Sequence, residues 1–97
     1  MELEFAGEVI EWRGPAPYHF VRFPDDAAEA VAAASSLLTY GWGCIPARAT
    51  CGGISWTTSL FPKDGGYLLP VKDAARKPLG AEVGDVLTVR LSLGRDA

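Results

Sequence analysis

Residues 51–71 read CGGISWTTSLFPKDGGYLLPV. Two glycine-bearing turns divide this stretch into extended runs. Gly52-Gly53 suits a two-residue hairpin connection, and PKDGG at 62–66 predicts a second hairpin loop. Between them Ile54, Trp56 and Leu60 share one parity while Ser55, Thr57 and Ser59 share the other, the period-two pattern of a half-buried strand. Tyr67 to Val71 predicts the returning strand. Successive hairpins with one apolar side commit this part of the chain to an antiparallel sheet.

Working outward, the same alternation recurs. Downstream, Asp73 is placed to cap a single helical turn that Pro78 ends. Val86 to Leu93 then directs Leu87, Val89, Leu91 and Leu93 to one side and Thr88, Arg90 and Ser92 to the other. Upstream, Cys44 to Cys51 predicts a strand interrupted by Pro46, which suggests an edge or a bulge. Before it lies the one clear helix, opened by Asp26 with Glu29 three residues on and rich in alanine, the best helix former. Val31, Ala34 and Leu38 form its narrow apolar stripe, and Ser35, Ser36 and Gly41 mark its end. Tyr18 to Phe23 and residues 2–12 predict two more strands. In the first, Leu3, Phe5 and Val9 oppose Glu2, Glu4 and Glu8, Ile10 and Trp12 break the alternation, and Gly7 offers a place for a bulge. The expected architecture is mainly β: a small barrel of about six strands with one α-helix and one short helical turn.

A faint echo runs through the chain. FVRFPDDAA at 20–28 resembles YLLPVKDAA at 67–75. Pro24 and Pro70 are 46 apart, Asp26 and Asp73 47 apart, so an alignment needs one inserted residue. Chance and a duplicated half-barrel with a pseudo-two-fold axis both account for it.

Ninety-seven residues make a single domain, 1–97, without room for a second core. Hydrophobic residues at 48% can fill an interior, which excludes disorder of the whole chain. The net charge of -3 argues against a protein that lives on phosphate backbones. No signal peptide or spanning segment is evident, so the expected location is the cytoplasm. On one extended strand Cys44 and Cys51 would lie roughly 23 Å apart, against about 6 Å for a bridge, so free thiols are expected unless a turn intervenes. With no CxxC and His19 as the lone histidine, neither metal nor cofactor is implied.

YGWGCIP at 40–46, WTTSLFPKDGGYLLPVKDAARK at 56–77 and VGDVLTVRL at 83–91 resemble domain-of-unknown-function family nineteen-oh-five. The resemblance covers nearly the whole chain and implies a β-barrel of the double-split type. It supplies no reaction. Some members also carry a YdeI/OmpD-associated domain, which is not expected within these residues. The stretch GYLLPVKDAARKPLGAEVGDVLTVRL is more distantly similar to the half-barrel of AbrB/MazE/MraZ-like regulators, in which two chains complete one barrel.

Several motifs that could carry function have plainer roles. Gly84-Asp85 fits a turn in which the carboxylate binds local backbone N–H groups. Trp12, Trp42 and Trp56 suit core and rim positions better than a stacking platform. Ser59 lacks a nucleophile elbow and Gly52-Gly53 lacks a phosphate loop's Lys-Ser/Thr, so an enzyme is not expected. The remaining candidates are Thr57, Ser59, Lys72 and Arg76: hydroxyls on the outer side of one strand, with two cations beside a helix start. Together they would form a shallow anion-binding mouth, while Arg76 paired with Asp73 is the structural alternative. The expected function is therefore a non-catalytic binding or interaction module for a small anion or a protein partner. An AbrB-like DNA-binding regulator or antitoxin is the alternative. Neither nucleic acid nor membrane is an expected partner, and the protein is expected as a monomer or an edge-strand homodimer.

Overall fold

A computed structural model describes residues 1–12, 18–38 and 45–94. Its elements run β1 (Glu2–Trp12), β2 (Tyr18–Arg22), α1 (Asp25–Leu38), β3 (Ile45–Cys51), β4 (Ile54–Lys63), β5 (Gly66–Pro70), α2 (Asp73–Leu79) and β6 (Val86–Leu93). The six strands close into an antiparallel barrel in the order β1-β2-β5-β4-β3-β6. The mainly-β barrel expected from the alternation is what forms.

Two long strands make closure possible. Residues 2–8 of β1 pair with β6, and residues 9–12 pair with β2. Likewise, residues 54–60 of β4 pair with β3, whereas 61–63 pair with β5. Each long strand therefore passes from one half of the wall, β1-β6-β3-β4, into the other, β1-β2-β5-β4. Inward residues of all six strands fill the interior: Phe5 and Val9, Val21, Ala47 and Ala49, Trp56 and Leu60, Leu69, Val89 and Leu91. Trp56 keeps its indole N–H satisfied by donating to the Pro70 carbonyl at 3.0 Å. The helices pack onto the barrel, α1 against β5 and β3, α2 against β4, and their buried residues join the same core. Small residues, Ala27 and Ala28 on α1 and Ala75 on α2, let both approach closely. No helix among the described residues is long and apolar enough to cross a membrane.

The order β1-β2-α1-β3 repeats as β4-β5-α2-β6. β2 pairs with its counterpart β5, and β3 with its counterpart β6, as strands beside a two-fold axis must. Tyr18 and Gly66, Arg22 and Pro70, Asp25 and Asp73 bound equivalent elements, each pair 48 positions apart. The duplication is real in architecture, but the sequence echo misplaces it. Pro70 ends β5 opposite Phe20, whereas Pro24 lies beyond β2, so the two prolines are not equivalent.

Several local expectations change. Gly7 makes no bulge: it pairs in register with Leu87, and a Cβ there would lie 2.1 Å from the Arg22 carbonyl oxygen. Pro46 is on no edge, since β3 is flanked by β4 and β6; it precedes the residues 47–50 that pair with β6. The second hairpin turn is shorter than PKDGG. Asp64 and Gly65, at φ 52° and 79°, form the two-residue turn, leaving Pro62 and Lys63 in β4. Pro78 lies inside α2, which instead ends at Gly80, a left-handed residue at φ 64°. Every strand has a bonded neighbour on each side over part of its length, as a closed barrel requires.

Candidate binding surface

Because side chains alternate, the residues facing away from the core write the outer coat of the barrel. On the β1-β6-β3-β4 half this coat is polar. Glu2, Glu4, Arg48, Thr50, Arg90 and Ser92 line a groove there. Arg90 Nε lies 3.5 Å from Glu4 Oε2, and the Thr50 and Ser55 hydroxyls are hydrogen-bonded at 3.0 Å.

The coat changes where β1 and β4 change partners. On β1, Glu8 is followed at outward positions by Ile10 and Trp12; on β4, Ser59 is followed by Phe61. These residues join Tyr18, Phe20, Leu68 and Pro70 around an apolar cleft of about 670 Å³. Phe20 is its floor, buried yet separate from the barrel core. The Tyr18 ring lies 6.5 Å from it, and Phe61 meets it edge-on at 6.4 Å. Trp12, Tyr18 and Phe61 remain 58%, 57% and 52% exposed. Lys63 Nζ sits 5.4 Å from the Trp12 ring centroid, a cation–π contact across the cleft. Between Tyr18 and Phe20, His19 Nε2 lies 3.5 Å from Glu11 Oε2. Rings gathered at a surface with a polar rim are the usual form of a recognition site.

The four residues singled out from the sequence fall elsewhere. Thr57 and Ser59 face outward from β4 opposite Arg48 and Pro46. Lys72 is exposed, ahead of α2, and makes no side-chain capping bond. Arg76 is engaged: Nε donates to Asp73 Oδ1 at 3.4 Å and Nη1 donates to the Ala81 carbonyl at 3.3 Å. No hydrogen bond or ion pair joins any two of the four. Asp85 behaves as its turn motif predicts, accepting the Glu82 N–H at 2.9 Å beside Gly84 at φ 96°. Trp56 is core and Trp12 is surface, while Trp42 and Cys44 lie outside the described residues. The Cys51 thiol is free and half-buried, and burial raises its pKa. The aromatic face is not among the sites that the sequence singles out. Its signal was there in Ile10 and Trp12, which broke the alternation of β1.

Fold and surface together define a small, internally duplicated antiparallel barrel with one polar and one aromatic outer face. Residues 5–91 match the family described as Domain of unknown function (DUF1905), and the chain belongs to that family. Among curated proteins, none matches it.

Proposed function

We propose that this protein is a binding module without chemistry of its own, and that its recognition surface is the aromatic cleft on the β1-β2-β5-β4 face. One observation carries this: Trp12, Tyr18 and Phe61 stay over half exposed around an apolar cleft, on a barrel whose other face is coated with charge. Leaving three rings in water forgoes burial that stabilises by roughly 1.5–3 kcal/mol per large apolar side chain, which a partner would recover. The partner class that fits is a segment of another protein. Duplex DNA does not suit a chain of net charge -3. The anion reading at Lys72 and Arg76 is weakened because the Arg76 guanidinium is already spent on Asp73 and Ala81.

Selection from a random peptide display library tests this. Enriched peptides are expected to lose binding when Trp12 and Phe61 are both replaced by alanine, and to keep it in Arg48→Ala on the polar face. Peptides that bind the double variant as well as the parent would refute the assignment, as would failure to enrich any.

A further inference from the structure

We infer that Trp12 and Lys63 form a strap across the recognition groove, and that it must part before a partner's segment can reach the groove floor; the inference rests on the binding surface proposed above. Trp12 ends β1 and Lys63 ends β4, two strands that are not neighbours in the sheet. In this half of the wall β2 and β5 lie between them. Their contact, with Lys63 Nζ 5.4 Å from the Trp12 ring centroid, therefore spans both intervening strands. The register shows what it spans. Trp12 pairs with Tyr18 and Lys63 with Gly66, so the two are equivalent positions of the duplicated halves and meet over the pseudo-two-fold axis. By the same rule Phe20, buried, and Leu68, half-buried, are equivalent outward residues of β2 and β5, and they form the floor on either side of that axis. The Phe61 ring reaches within 6.4 Å of Phe20 although β5 separates their strands, which shows the same curl of the sheet.

The strap divides one groove into two compartments. On one side is the aromatic cleft, bounded by Tyr18 and Pro70. On the other is a cavity of about 460 Å³ bounded by Arg22, Tyr67 and the first turns of α1. Ile10, Lys63 and Leu68 line both, so moving the Lys63 side chain joins them into one continuous groove. That side chain is lightly held: among the described residues its ammonium makes no ion pair, and the Trp12 ring is its partner. Both groups are exposed, and an exposed cation–π contact favours the closed arrangement by roughly two- to five-fold. Between about one sixth and one third of the molecules are then open, and apparent affinity falls by that fraction. Lys63 thus competes with the partner for the Trp12 ring.

The test titrates the parent and Lys63 variants with N-phenyl-1-naphthylamine, a neutral apolar fluorophore that brightens out of water, so that no ion pair with residue 63 enters the comparison. Lys63→Gln, which deletes the cation, should bind the fluorophore about three- to six-fold more tightly than the parent. Lys63→Arg, whose planar guanidinium stacks better on an aromatic ring, should bind it about two-fold more weakly. In protein labelled with fluorotryptophan, the Trp12 resonance, assigned by its loss in Trp12→Phe, should move in Lys63→Gln with no fluorophore present and stay in place in Arg48→Ala. Because Lys63 is exposed, its variants should unfold close to the parent's denaturant midpoint. Equal affinities for Gln, Lys and Arg at position 63 would overturn the inference, as would a Trp12 resonance indifferent to Lys63→Gln. Failure of Lys63→Gln to bind the fluorophore at all would overturn it too. If affinities are equal but fall when Trp12 and Phe61 are both replaced by alanine, only the strap is lost and the recognition surface stands. Fluorophore binding that ignores the double variant as well would count against both.

Discussion

Gly7 illustrates how one missing methyl can hold two sheets together. Alanine there would bring Cβ to 2.1 Å from the Arg22 carbonyl oxygen and 2.7 Å from Val21 Cγ1. Both neighbours belong to or end β2, so the chain cannot yield without shifting a strand. In most strands glycine is the weaker residue, but here the clash outweighs that preference. Gly7→Ala should cost about 3 kcal/mol, read as a lowered midpoint in urea with little change in slope; an unchanged or raised midpoint would contradict the packing described. Cys51 makes a second case. Burial raises its pKa, so less thiolate is present at a given pH and attack on disulfide reagents slows. In a Cys44→Ser background, Cys51 should react at pH 8 more slowly than a small free thiol and accelerate as pH rises or on unfolding. Reaction at the free-thiol rate in the folded protein would contradict it.

At the scale of the element, α2 is short and depends on its ends. Gly80 closes it with its N–H bonded to the Lys77 carbonyl at 3.0 Å, Ala81 follows with its N–H bonded to the Arg76 carbonyl at 3.2 Å, and the Arg76 side chain returns to the Ala81 carbonyl. Arg76→Ala should therefore lower stability by about 1 kcal/mol with no ligand present, and Gly80→Ala by about the same through its left-handed backbone. Thermal melts of both variants test this; an Arg76→Ala protein as stable as the parent would free that side chain for another role. The elements also show what the sequence made legible. Alternation in 86–93 and the Gly52-Gly53 pair located a strand and a turn because both are local signals. PKDGG is rich in turn formers and so reads as a loop throughout, although Asp64-Gly65 alone supplies the two positive φ angles needed. The aromatic face was not legible. Whether Trp12 and Phe61 meet depends on where β1 and β4 change partners, and no local pattern records that. For a related reason, spacing placed Arg76 near Asp73 but could not show its second bond to Ala81.

For the molecule as a whole, pseudo-two-fold symmetry relates the hairpin at Gly52-Gly53 to the gap between β6 and β1. The start of β1 and the end of β6 are adjacent, with the Met1 amino group donating to the Leu93 carbonyl at 3.1 Å. A permuted chain that links these ends through a short flexible segment and opens between Gly52 and Gly53 should fold to the same barrel. It should lose only a few kcal/mol at most, the order of a local change in connectivity. Retention of the parent's amide NMR spectrum away from the new termini would bear this out, and a collapsed spectrum would argue that the hairpin is indispensable. The same adjacency has a consequence for biosynthesis. β1 leaves the ribosome well before β6, yet seven of its residues pair with β6, some 80 positions later. At about 10 residues per second, the nascent strand waits on the order of ten seconds with Leu3 and Phe5 unpartnered. Glu2, Glu4 and Glu8, interleaved among them, act during that delay as charged gatekeepers against the strands of neighbouring nascent chains.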